Sequence, residues 1–212
     1  MTAEASTDLC ELFARAVEQF PHNLAVDHPD GRLTYRELDE VSSTLANDLR
    51  SLHVSEGCPV LLLTAHGTLN IVAVLAILKT GGFFVPIDRN TWSPDAIRYV
   101  FDIVDSQVAV NTTPEPFTPP DGRSYHVLHL SQLPPDHHGQ FDHTLPPVLH
   151  STPAERTACT IFTSGSTGRA KGVMISHRSL ALYAKMSPAN LDIQPGDRLL
   201  HLLSVAFDGK PL

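Results

Sequence analysis

Residues 59–88 read PVLLLTAHGTLNIVAVLAILKTGGFFVPID, and the changes of period along them decide the fold. Residues 59–64 form a short apolar run with no alternation, the pattern of a strand buried on both faces. Residues 69–79 are apolar for the length of three helical turns, and the glycine pair Gly81-Gly82 supplies the stop. Residues 83–87 form a second apolar run of strand length. Strand, helix and strand in this order imply a βαβ unit, with two parallel strands joined by a crossover helix.

The flanks extend the same pattern. Upstream, Leu9, Phe13, Val17 and Phe20 recur at helical spacing until Pro21. Thr34 and Glu37 then have the spacing of a capping box, in which each side chain satisfies a free backbone donor of the helix start. Leu38, Val41, Leu45, Leu49 and Leu52 follow on one helical face. Downstream, Ser93 and Pro94 mark the cap and first position of a helix over residues 94–104, and residues 107–110 predict a third strand. Asp88, Lys79 and Tyr35 read as cap, packing and turn residues, and Trp92 as packing.

Residues 112–154 break the period. Proline and histidine are dense there, and only residues 125–130 look like a strand, so the stretch predicts a long surface connection. It divides the chain into residues 1–111, the connection 112–154, and residues 155–212. The last part predicts a strand over 157–163, a Gly/Ser/Thr loop, a short strand over 172–175, a helix capped by Ser176 and reaching about residue 189, and an apolar strand over 199–205.

Composition bounds the function. The chain has 212 residues, 42% hydrophobic and 18% charged, which is globular. A net charge of −8 argues against nucleic acid and anionic membranes as partners. The longest apolar stretch, residues 71–78, is too short to cross a bilayer. Cys10, Cys58 and Cys159 are odd in number and far apart, which predicts neither a zinc site nor a disulfide framework and fits a reduced, cytoplasmic setting. The scattered histidines His126, His129, His137, His138, His143 and His150 lack a metal-site spacing. His177 and His201 read as helix-start and core residues.

The strongest chemical signal is the run Thr163, Ser164, Gly165, Ser166, Thr167, Gly168, Arg169, Ala170, Lys171, Gly172. Glycines let the backbone approach a ligand. Successive N–H groups in such a turn form an anion-binding nest. Four hydroxyls add donors and Lys171 adds a positive charge. It is neither GxxxxGK[ST] nor GxGxxG. From composition alone, a solvated Ser/Gly loop is the competing reading.

With its neighbours, this run resembles a known family. IFTSGSTGRAKGVMISHRSL (161–180) is similar to the phosphate-loop signature of the adenylate-forming, or AMP-binding, superfamily, in particular the adenylation domains of nonribosomal peptide synthetases. LTYRELDEVSSTLANDLR (33–50), AILKTGGFFVPID (76–88) and SVAFD (204–208) resemble further motifs of the same family in the same order. The resemblance implies an α/β fold, corresponding to the N-terminal part of such a domain. It also implies ATP-dependent activation of an amino acid as an acyl adenylate in secondary-metabolite biosynthesis, with ATP and Mg2+ as cofactors. A carrier protein bearing phosphopantetheine is an implied partner.

By the same resemblance, Thr163, Ser164, Gly165, Ser166, Thr167, Gly168 and Lys171 hold the ATP phosphates. Asp208 pairs with the substrate's α-ammonium, which favours an amino acid over the fatty or aryl acids of acyl-CoA and aryl-acid ligases. Two departures stand out. Ala170 replaces the family's proline before the loop lysine. The family's C-terminal portion, with its catalytic lysine, has no counterpart here, so no residue is assigned as catalytic. The expectation is a chain inactive on its own, with a non-catalytic binding role as the alternative.

Overall fold

Unbroken apolar runs place the centre of the sheet: β3 (Pro59–Leu63), β4 (Phe83–Ile87) and β5 (Val108–Asn111) are almost wholly buried. The computed structural model describes residues 8–64, 66–119, 124–133, 155–163, 170–194, 196–200 and 206. β6 (His126–His129), β7 (Thr157–Thr163) and β8 (Lys171–Ser176) complete a six-stranded sheet of order β6-β5-β3-β4-β7-β8. Every neighbouring pair is parallel except the antiparallel edge pair β7–β8.

Side chains alternate across this sheet. Val60, Leu62, Phe84, Val108 and Val110 face one way, onto α2 (Tyr35–Ser51) and α3 (Thr68–Lys79). Leu61, Leu63, Val85, Ile87 and Ala109 face the other, onto α4 (Pro94–Ile103) through Val100 and Phe101. Helices on both faces explain why the central strands carry no polar alternation. The α/β reading therefore holds, with β3–α3–β4 as its centre.

Local signals act where the sequence placed them. Thr34 N and Oγ1 donate to Glu37 Oε2 at 2.8 Å, and Glu37 N donates back to Thr34 Oγ1 at 3.3 Å, closing the capping box of α2. Ser93 caps α4 through Ala96 N at 3.2 Å. Gly81 turns out of α3 at φ +85°, a conformation that costs glycine little. A Cβ at Gly82 would lie 2.8 Å from the Cys58 carbonyl, so both positions of the pair need glycine.

Lys79, at the last turn of α3, is 3% exposed. Its ammonium lies 2.7–2.8 Å from Asp39 O, Asp39 Oδ1, Ser42 Oγ and Ser43 Oγ, and 5.5 Å from the centre of the Phe13 ring. It ties α3 to α2 and to α1 (Leu9–Gln19).

A hairpin that the periodicity did not announce, β1 (Leu24–His28) with β2 (Gly31–Thr34), packs beside these helices. Its Pro-Asp-Gly turn carries a task of its own. α3 begins at Gly67, which has no side chain to cap it. Asp30 caps it from the hairpin turn instead: Thr68 N donates to its carboxylate at 3.1–3.2 Å and Thr68 Oγ1 at 2.8 Å. Gly67 sits at φ +136°, and a Cβ there would run into the Asp30 carboxylate.

Burial pushes the Asp30 carboxyl up, but the bonds from Thr68 and His28 outweigh it and hold it below its ordinary 3.8. A depressed carboxyl stabilises the fold above the unfolded value and loses that contribution as pH falls through the folded value. Thermal melts between about pH 6 and pH 3 should therefore show wild type losing stability relative to Asp30→Asn below about pH 4. Parallel pH profiles for the two proteins would contradict this account of the cap.

The remaining difference lies near the end of the chain. Leu199 and Leu200, expected to begin a strand, are outside any strand and are 71% and 82% exposed. Their apolar character gives a tendency to bury, and a strand also needs a neighbouring edge to pair with. Residues 201–205 of that expected strand lie outside the described residues.

Candidate functional site

The Gly/Ser/Thr loop springs from the β7–β8 hairpin. β7 runs TACTIFT with its five inner residues buried, anchored through Ala158 and Cys159 in one core and Phe162 in the other. Thr163 is its last residue and is half-buried. Lys171 opens β8, directly opposite Thr163 in the ladder, and is exposed. Thr163 and Lys171 thus form the two posts between which residues 164–170 are strung. Ser164, Gly165, Ser166, Thr167 and Gly168 lie outside the described residues, as does Asp208. Its near neighbour Ala206 is buried.

The posts are rigid for packing reasons. Phe162 meets Trp92 edge-on with ring centres 6.4 Å apart, and Ala170 packs against the same core. Gly172 lies across from Phe162, and a Cβ there would come within 3.0 Å of Thr160 Cγ2 and 3.1 Å of the Phe162 ring. Glycine at 172 therefore answers to close packing at the hairpin. After β8, Ser176 caps α5 (His177–Asn190) by accepting from Ser179 N at 3.2 Å. The Ala170 departure leaves this base intact.

The posts also stand on the chemically useful edge of the sheet. β7 is parallel to β4, so Thr163 emerges at the carboxyl ends of β3, β4 and β7. The helix after β3 lies on one face and the helix after β4 on the other, which opens a crevice at the strand ends where α/β sheets receive ligands. Asp88 and Arg89 follow β4 at this edge. Asp88 is 7% exposed and forms a turn, accepting from Asn90 N at 2.9 Å. Arg89 holds the segment after β5, donating to Thr113 Oγ1 at 3.1 Å and Glu115 O at 3.2 Å, with its guanidinium 5.4 Å from the Phe117 ring centre. Both are engaged in structure, as expected of Asp88. Lys171 is exposed and, among the described residues, has no acidic partner.

The aromatic base formed by Trp92 and Phe162 was only partly legible. Trp92 reads as packing, but its partner is seventy positions away and no local pattern names it. Of the connection's histidines, His126 and His129 lie in β6, and His129 Nδ1 lies 3.1 Å from Asn111 Nδ2.

Comparison with known proteins agrees with this geometry. The model of the family described as "AMP-binding enzyme" matches residues 13–210. The nonribosomal peptide synthetase verP of Clonostachys rogersoniana is 55% identical over 95% of this chain and 10% of its own length. The nonribosomal peptide synthetase gliP of Aspergillus fumigatus is 50% identical over 98% of this chain and likewise 10% of its own length. The chain therefore spans about a tenth of the curated relatives it matches. Among solved structures, the nonribosomal peptide synthetase FmoA3 superposes with a TM-score of 0.77 at 27% identity, over 95% of this chain and 20% of that one. Its form bound to α-methyl-L-serine-AMP gives the same TM-score at 25% identity, over 95% of this chain and 21% of that one.

Proposed function

Since the chain belongs to the AMP-binding enzyme family, we propose that it is the phosphate-loop portion of an adenylation unit that activates an amino acid in nonribosomal peptide synthesis. The observation that carries this is the β7–β8 hairpin, with Lys171 exposed opposite Thr163 at the carboxyl edge of the sheet. A polyphosphate held there gains one full positive charge from Lys171. The hydroxyls and amides of Thr163, Ser164, Gly165, Ser166, Thr167 and Gly168 complete the cradle.

The chemistry needs positioning and charge balance rather than a covalent catalyst. A carboxylate oxygen of the amino acid attacks the α-phosphorus, the bond from that phosphorus to the bridging oxygen breaks, and pyrophosphate leaves with the electron pair. The product is an aminoacyl adenylate. In the following step a carrier thiolate attacks the acyl carbon and AMP departs. Asp208 is proposed as the partner of the substrate ammonium. An amino-acid substrate is supported by FmoA3, whose structure was solved with an amino-acid adenylate. When bound with ATP, Mg2+ would supply further charge neutralisation at the phosphates. Asp88, the carboxylate at the described edge, is committed to its turn, so no residue of this chain is assigned to the metal. This chain alone is proposed to bind ATP while giving little amino-acid-dependent exchange of pyrophosphate.

Titration of the chain with ATP tests the reading. Lys171→Ala should weaken binding about tenfold, the worth of one charge-assisted contact, and melt like wild type because Lys171 is exposed. Equal affinity in the two proteins would remove the phosphate assignment.

A further inference from the structure

Behind the hairpin, on the α2–α3 face of the sheet, three side chains with metal-ligating atoms meet in the interior. Asp8 precedes α1, Cys10 lies in its first turn, and His177 opens α5. They are 3%, 8% and 0% exposed. One ligand atom from each lies within 4.8 Å of the other two. No use of them arises from the phosphate loop, which is built on the far end of β7 and β8.

The imidazole marks this as more than a packed corner. Nδ1 of His177 stands 2.9 Å from Asp8 Oδ1, yet neither ring nitrogen has a hydrogen bond of good geometry among the described residues. Buried polar nitrogens are ordinarily satisfied. Asp8 Oδ1 already accepts from Cys10 N at 2.9 Å, so the carboxylate is fixed in place rather than free to reorient.

We propose that Asp8, Cys10 and His177 form a structural site for zinc or a similar divalent ion that accepts mixed sulfur, nitrogen and oxygen ligands, pinning the start of α1 to the start of α5. The donor set is chemically apt: thiolate, imidazole and carboxylate are the three ligand types zinc takes. One thiolate and one carboxylate also neutralise a divalent charge, so the filled site adds no net charge to the interior. Tetrahedral bonds of about 2.0–2.3 Å would set the ligand atoms about 3.5 Å apart, so side-chain shifts of about 1 Å close the cluster.

Metal-free, burial and then Asp8 push the Cys10 thiol up to about 12, with Lys79 acting the other way. Metal binding must displace that proton to solvent. The position of Cys10 at a helix N-terminus favours the thiolate that results. The Lys79 charge is engaged by Asp39. Cys10 also lines a cavity of about 220 Å³ between α1, α2 and α3.

Cobalt reports directly on sulfur ligation. The full chain, stripped with a chelator and titrated with Co2+, should develop a thiolate-to-cobalt charge-transfer band saturating at one equivalent. The band should vanish in Cys10→Ser and in His177→Ala and persist in Cys58→Ser and Cys159→Ser. Zn2+ should bleach it and raise Tm by about 5–10 °C at a hundredfold excess over Kd. Circular dichroism identifies any variant that fails to fold, and the wild-type band decides the matter without them. A folded wild type with no thiolate band, or a band that follows Cys58 or Cys159, overturns the proposal. So does Zn2+ uptake that survives in Cys10→Ser with no change in Tm, which would be adventitious binding by the chain's surface histidines.

Discussion

Replacing Phe101 with alanine is expected to lower the unfolding free energy by about 3–5 kcal/mol. Phe101 is fully buried and is the main side chain that α4 sends into the sheet face formed by Leu61, Leu63, Val85 and Ala109. Its ring also lies 5.3 Å from that of Phe117 and 5.2 Å, edge-on, from that of Tyr125. The variant therefore loses transfer energy, leaves a cavity, and releases both described ends of the segment between β5 and β6. Chemical denaturation measures the loss, and limited proteolysis should find new cleavage between residues 112 and 125. A difference below about 1 kcal/mol would mean that the surrounding side chains collapse into the space, against the close packing described.

Asp39→Ala is expected to cost about 2–3 kcal/mol, while Lys79→Met costs little or stabilises. The asymmetry follows from which charge is buried. The Lys79 side chain is 4% exposed and that of Asp39 is 40% exposed. Removing Asp39 leaves an ammonium in the interior with only neutral oxygens. Breaking a fully buried pair costs about 3–5 kcal/mol, and the exposure of Asp39 reduces that figure. Replacing the lysine with an apolar chain of similar length removes the desolvated charge altogether.

A pH profile separates the two accounts further. Burial, opposed by Asp39, pulls the Lys79 ammonium below its ordinary 10.5. The unfolded chain then binds more protons in the interval between the folded value and 10.5. Wild type should gain stability relative to Lys79→Met as pH rises through that interval. Equal losses in Asp39→Ala and Lys79→Met would show that packing, and not charge, holds α3 to α2.

What the sequence determined by itself is whatever depends on neighbours along the chain. The unbroken apolar runs at 59–63 and 83–87, the capping box at Thr34 and Glu37, the Ser93-Pro94 start and the Gly81-Gly82 stop each act over a few residues, and each stands where it was expected. The glycine- and hydroxyl-rich run before Lys171 stands out in composition, and of it the structure places the two ends, Thr163 and Lys171, opposite each other in the β7–β8 ladder.

The tertiary structure decided what depends on residues far apart. The cap of α3 comes from Asp30, 38 residues before Thr68. The hairpin base pairs Trp92 with Phe162, and the buried cluster joins Asp8 and Cys10 to His177. The apolar pair Leu199-Leu200 stands exposed and outside any strand, since hydrophobicity supplies a drive to bury but cannot supply an edge to pair with. Local interactions are written in spacing, whereas long-range ones depend on which surfaces the fold brings together, and no window of sequence contains both partners.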